Sequence, residues 1–215
     1  GEVIAQCYLD LFARDAKRGG AWMADCRVRR QTVAGDIQLP VAFLTCNFSP
    51  PAEDKPSLLT HNEVTTLFHE FGHGLHHMLT QINCAEVSGI NGVAWDAVEL
   101  PSQFMENWCW EPEALALFSS HYVSGEALPI DLLDKMLAAR NFQSALQMVR
   151  QLEFASFDLL IHRDYAAEGW QGIQATLDQV RDQLSAYPVP SFNRFQHGFG
   201  HIFAGGYAAG YYSYK

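Results

Sequence analysis

The first fifty positions carry three short runs rich in β-branched and apolar residues, at 3–9, 22–30 and 39–48. Runs of this length predict strands, and together a small sheet. Ala34-Gly35-Asp36 is a turn signal between the second and third runs. Pro40 places the start of the third strand close to itself, because proline cannot donate to a ladder. Positions 49–57 hold three prolines and predict a loop.

From residue 60 the period changes. Thr60-His61-Asn62-Glu63 has the form of a capping box, and apolar residues follow at 64, 67, 68, 71, 75, 78 and 79. The spacing predicts a helix over 61–80. A loop containing Ser88-Gly89-Ile90-Asn91-Gly92 comes next. Asp96 then reads as an N-cap with Glu99 three residues on, predicting a second helix over 97–109. Further helical patterns cover 112–122, 130–140, 142–167 and 171–186, and 187–200 reads as a loop with Pro188 and Pro190. The pattern marks no internal domain boundary. The expected fold is α+β and predominantly α, with a small sheet over 1–58 and a mainly helical part over 59–215.

Composition narrows the function. Acidic residues exceed basic ones by enough to give a formal net charge of −10, and no basic cluster offsets this. Nucleic acid is therefore a poor partner. No apolar run approaches membrane-spanning length, so no membrane association is expected. The charged share is 18%, below the usual quarter, which points to a large interior or to surface that faces other protein. Cys7, Cys26, Cys46, Cys84 and Cys109 are odd in number and widely spaced. That pattern fits reduced thiols in a cytoplasmic protein and excludes a cysteine-type zinc site. Both ends read as cuts in a longer protein.

The chemistry concentrates in His69-Glu70-Phe71-Gly72-His73. Residues four apart lie on one helical face, so both imidazoles can reach one Zn²⁺ ion. Glu70 is displaced around the helix, where it can serve a water as general base. A catalytic zinc needs a third protein ligand and an open position. Glu99 can be that ligand or can simply be the capping-box partner of Asp96. Asp96 can be an N-cap or a carboxylate that receives a ligand imidazole's other N–H. Glu106, two turns beyond Glu99, reads as a supporting polar contact, and His76 and His77 as packing or hydrogen-bonding residues.

Two strings carry more than a motif: Phe68-His69-Glu70-Phe71-Gly72-His73-Gly74-Leu75-His76, and Val98-Glu99-Leu100-Pro101-Ser102-Gln103-Phe104-Met105-Glu106-Asn107-Trp108. Together they resemble the thimet-oligopeptidase family of zinc metallopeptidases. The resemblance runs from Gly19-Gly20-Ala21-Trp22-Met23 to Gly205-Gly206-Tyr207. It implies a zincin-like core that holds one Zn²⁺ on His69, His73 and Glu99. It also implies a metalloendopeptidase that cuts short peptides with a zinc-activated water, Glu70 being the base. The string from Gly200 to Tyr214 resembles the family's His/Tyr substrate loop. By that likeness His201, Tyr207 and Tyr214 are site residues and Tyr211 is a weaker candidate. Four tyrosines in eight residues also fit an aromatic core face, and Tyr212 is assigned to it. An extended peptide can also add to an exposed sheet edge, for which the third strand is a candidate. Family members are several times longer. The chain is therefore expected to be a catalytic-core fragment lacking N-terminal and C-terminal parts of its parent. Alone it should be nearly inactive, with the His/Tyr loop displaced or disordered. A zinc-binding but inactive structural piece and a peptide-binding module remain alternatives.

Overall fold

The computed structural model describes residues 1–165 and 169–214. It contains strands β1 (Gln6–Phe12), β2 (Trp22–Arg27), β3 (Arg30–Gln31), β4 (Ile37–Gln38) and β5 (Val41–Phe48). The helices are α1 (His61–Met78), α2 (Leu100–Glu106), α3 (Pro112–Phe118), α4 (Ile130–Ala139), α5 (Ser144–Arg163), α6 (Gly169–Leu184) and α7 (Phe195–Gly198). The chain is thus mixed α+β and mostly helical, as its patterning predicts. The packing divides it where the pattern shows no boundary. One compact unit takes residues 1–94 and 98–137, the other residues 95–97 and 138–215.

In the first unit the main sheet has the order β1-β5-β2, with β1 parallel and β2 antiparallel to β5. The third predicted strand is therefore central and paired on both sides. It is not an exposed edge, and the two edges are β1 and β2. Alternate β5 residues Ala42, Leu44 and Cys46 are fully buried, as the two-residue period of a strand requires. Ala42 and Leu44 pack with Met78 of α1, and a Cβ on Gly74 would sit 3.1 Å from the Leu44 side chain. The helix therefore lies close against the sheet.

Three element boundaries differ from expectation. β1 begins three residues late because its register with β5 starts at Gln6↔Val41. β2 stops at Arg27 after an irregularity between Asp25 and Arg27. Beyond it, Arg30–Gln31 pairs instead with Ile37–Gln38 around the expected turn, where Gly35 takes φ +92°. The second helix starts at Leu100, with Glu99 and not Asp96 as its N-cap. Pro101 stands in the first turn, where its missing N–H costs nothing. The α-helix ends at Glu106 and continues as a 3₁₀ turn over Asn107–Trp110.

The capping box of α1 is formed as predicted. Glu63 N–H donates to Thr60 Oγ1 at 3.3 Å, and Thr60 N–H donates to a Glu63 carboxylate oxygen at 2.7 Å. In the second unit α5 and α6 pack around Phe154, Phe157 and Leu177, with Phe199, Ile202 and Tyr211 closing the core. Arg181 of α6 and Glu153 of α5 form a mostly buried ion pair at 2.9 Å. The helix expected over 142–167 is α5. The last two residues of that expectation, Ala166 and Ala167, lie outside the described residues. The short α7 falls inside the loop predicted for 187–200.

Candidate metal centre

His69 and His73 share one face of α1, and Glu99 approaches from the start of α2. One Glu99 carboxylate oxygen, Oε2, stands 3.2 Å from His69 Nε2 and 3.2 Å from His73 Nε2. One donor atom from each of the three residues can be chosen so that all lie within 4.8 Å of one another. Glu99 is 2% exposed, so its carboxylate has little water to fall back on. Donors bound tetrahedrally to zinc at about 2.0–2.1 Å lie about 3.3–3.4 Å apart, close to both observed separations. Two imidazoles and a carboxylate are also a donor set suited to that ion. By arrangement and by chemistry the three residues fit a zinc site.

The centre is braced from outside. His69 Nδ1 lies 2.6 Å from Glu106 Oε1. That contact fixes the imidazole tautomer that leaves Nε2 for a metal. The carboxylate–imidazole partnership considered for Asp96 thus belongs to Glu106. Ser102 Oγ lies 2.9 Å from both Oε2 and the main-chain oxygen of Glu99, so the hydroxyl ties the carboxylate to its own helix turn. His77 does not enter the site. It is fully buried and its Nε2 donates to the Arg27 carbonyl at 2.8 Å, linking α1 to the end of β2.

Electrostatics follow from this crowding. Burial alone would lower the His69 pKa. The hydrogen bonds to Glu106 and Glu99, with the negative charges of Glu70 and Glu99, outweigh it and raise the value to about 9. Without metal the imidazole therefore holds a proton at neutral pH, which a metal ion must displace to bind. Glu70 is buried and titrates above its ordinary range, chiefly through burial and secondarily against the pull of the two histidines. Glu99 adds a further upward push, and a main-chain hydrogen bond from Met23 of β2 a downward one. Burial moves His76 the other way, lowering its pKa, with the charges of His73 and His77 acting in the same direction.

Gly72, between the two histidines, lets α2 come near enough to deliver Glu99. A Cβ there would lie 2.6 Å from both the Pro101 carbonyl oxygen and the Ser102 Cα. Those are main-chain atoms, so no side-chain rotation relieves the clash. Gly72→Ala is expected to destabilise the protein by about 1–3 kcal/mol through overpacking. That loss runs against the roughly 1 kcal/mol that alanine gains over glycine inside a helix. Zinc affinity should fall with it. Unchanged thermal unfolding and zinc affinity would show that the two helices can part freely.

The C-terminal candidates lie in the second unit. His201 is exposed on a 3₁₀ turn over Gly200–Ile202. Tyr207 and Tyr214 are half-buried, with ring centroids 5.0 Å apart, and His201 lies 6.2 Å from Tyr214. These three side chains therefore belong to one aromatic cluster. Tyr211 forms its buried base, at 5.8 Å from His201 and 4.9 Å from Tyr214. The core assignment made for Tyr212 belongs to Tyr211, because Tyr212 is 66% exposed. The segment is tied to its own unit and is not a loose tail, since buried Asp158 of α5 accepts main-chain N–H groups from Ala209 and Tyr211.

Ser102, Gly72 and Asp158 are not among the site residues predicted from sequence. Gly72 carried a signal, since a glycine inside a strongly patterned helix implies close packing. Asp158 carried a weaker one, an acid set among Phe154, Phe157 and Leu159.

The family model for peptidase family M3 matches residues 1–215. The chain belongs to peptidase family M3. It is 61% identical to oligopeptidase A of Salmonella typhimurium over 213 residues, which cover 99% of this chain and 31% of that protein. It is 48% identical to the organellar oligopeptidase A of Arabidopsis thaliana over 219 residues, all of this chain and 28% of that protein. Saccharolysin of Saccharomyces cerevisiae is 38% identical over 214 residues, 98% of this chain and 30% of its own length. The chain thus spans about 30% of the length of these M3 relatives. Among the described residues, no helix is long and apolar enough to cross a membrane.

Proposed function

We propose that this chain carries the zinc-binding, peptide-hydrolysing centre of an M3 oligopeptidase with a zincin-like core. The observation that carries the reading is the single Glu99 oxygen held at 3.2 Å from both His69 Nε2 and His73 Nε2, with Glu70 buried beside them. His69, His73 and Glu99 would hold the ion. Zinc, when bound, supplies Lewis acidity and makes a nucleophile available at neutral pH.

The chain's own residues do the rest. Glu70 accepts the proton of the attacking water and passes it to the leaving amine. Burial raises the pKa of that carboxyl, which makes it a stronger base than an exposed carboxylate. Glu106 and Ser102 keep His69 and Glu99 in their binding orientations. His201, Tyr207 and Tyr214 are the substrate-binding groups. Each carries a ring N–H or phenol O–H able to donate to the oxygen of a carbonyl under attack. Short peptides are the substrates, as the names of the oligopeptidase relatives suggest. The whole protein is the active form and works in the cytoplasm. The 215-residue chain by itself hydrolyses peptides poorly.

The test is a fluorogenic peptide assay on the full-length protein, with metal analysis and a chelator control. Turnover that is lost to chelator and restored by zinc supports the reading. Zinc at one per chain without turnover favours a structural metal site. Peptide binding without turnover and indifferent to Glu70→Gln favours a binding module.

A further inference from the structure

Asp158 sits midway along α5 and is 1% exposed. A carboxylate so deeply buried persists only if its oxygens are satisfied. Oδ1 accepts the Ala209 N–H at 2.9 Å, and Oδ2 accepts the Tyr211 N–H at 2.9 Å. His162 Nδ1, one turn along α5, stands 2.9 Å from Oδ1 and 2.8 Å from the Asp158 carbonyl oxygen. One side chain therefore grips two main-chain amides 51 and 53 residues away.

Those amides lie in the segment that joins Tyr207 to Tyr214. Ala209 between them takes φ +55°, a conformation unfavourable for a residue with a Cβ and kept only where the surroundings hold it. The segment has further ties. Tyr207 N–H donates to the His201 carbonyl at 3.1 Å, Gly206 rests near the Trp95 ring, and Tyr211 OH donates to Gln151 at 3.0 Å. Gly210 N–H donates to the Tyr207 carbonyl at 2.8 Å and Ser213 N–H to the Gly210 carbonyl at 3.0 Å, but both bonds close turns within the segment and neither ties it to α5. Two oxygens of one carboxylate on two amides fix both its position and its orientation.

We propose that Asp158 is a positioning residue for peptide hydrolysis: it clamps the 207–214 segment from beneath and so sets where the Tyr207 and Tyr214 phenols stand. This rests on the reading of those tyrosines as substrate-binding groups. Asp158 touches no substrate and acts only through the amides it holds. A displacement of about 1 Å in such donors is enough to cost on the order of 10²-fold in rate.

The experiment compares Asp158→Asn with wild type in the full-length, zinc-loaded protein. The substitution keeps the shape but replaces one acceptor with an NH₂ group that faces an N–H. Expected are faster hydrogen exchange at Ala209 and Tyr211, unchanged zinc content, and a fall of about 10²-fold in kcat and kcat/KM alike. Glu153→Gln is the control. It weakens the buried Arg181 pair on the same helix without touching the segment, so it should lower Tm and leave kcat unchanged. Equal behaviour of the two variants would mean that Asp158 is merely structural and would overturn the proposal. So would unchanged exchange at Ala209 and Tyr211. Tyr207→Phe and Tyr214→Phe, assayed in parallel, separate the two levels. If they lose activity while Asp158→Asn exchanges faster and turns over normally, the positioning role fails and the tyrosine reading stands. If neither tyrosine variant loses activity, the reading fails and the positioning role falls with it.

Discussion

Glu70→Gln in the full-length protein is expected to keep its zinc and to lose peptide hydrolysis almost completely. Glu70 is not among the three proposed ligands, so its replacement leaves His69, His73 and Glu99 untouched. The amide oxygen of Gln can still take the main-chain hydrogen bond from Met23, and the volume is unchanged. What disappears is the ability to accept a proton. Positioned general base catalysis is typically worth about 10²–10⁴-fold, and here the same group must also return the proton to the amine, so the loss should lie at the upper end. Removing a buried carboxylate whose ionisation is penalised by burial costs the fold nothing comparable, so Tm should hold or rise. The measurement is turnover of a fluorogenic peptide at saturating zinc, with metal content determined on the same sample. A variant that keeps more than a few per cent of wild-type turnover removes Glu70 from the base role.

Glu99→Ala is expected to lose both metal and activity. Two imidazoles alone hold zinc weakly, and the missing carboxylate is the one with an oxygen 3.2 Å from both. The substitution also leaves the Ser102 hydroxyl without its side-chain partner and empties a site that is 2% exposed. Glu99→Gln, which fills the same volume with a neutral and much poorer ligand, separates metal loss from misfolding. Both variants should emerge from dialysis with little zinc, and Gln should unfold near the wild-type temperature of the metal-free protein. Glu106→Ala is the contrast. Loss of a carboxylate that supports a ligand imidazole typically weakens affinity by about 10–100-fold, so this variant should still fill at excess zinc. One zinc per chain in Glu99→Ala would mean that the third ligand lies elsewhere.

Much of this arrangement was legible in the sequence because it is local. The α1 capping box, the four-residue spacing of His69 and His73, and the displacement of Glu70 all lie within one helix, where periodicity dictates the face. The β5 pattern also reads directly, since its buried alternate residues meet α1. The features left open or misread depend on partners remote in sequence. Glu99 could be read as a cap or as a ligand because both roles need the same residue at the same place. Only the approach of α2 across Gly72 puts its oxygen between two imidazoles. Asp96 resembled an N-cap by composition, but Pro101 and the packing of α2 moved the helix start to Leu100.

The sequence by itself determined the helical and strand periods, the donor types and, through long matching strings, the peptidase family. The tertiary structure decided which of those elements lie side by side. It made β5 the centre of the sheet, because pairing on both flanks buries its apolar alternation. It gave the His69 support to Glu106, because α2 crosses α1 at main-chain contact. It put Tyr211 in the core and Tyr212 in solvent, because two amides bound to the Asp158 carboxylate set the path of the chain there. In each case the deciding contact joins residues tens of positions apart, and a pattern read along the chain carries no distance between them.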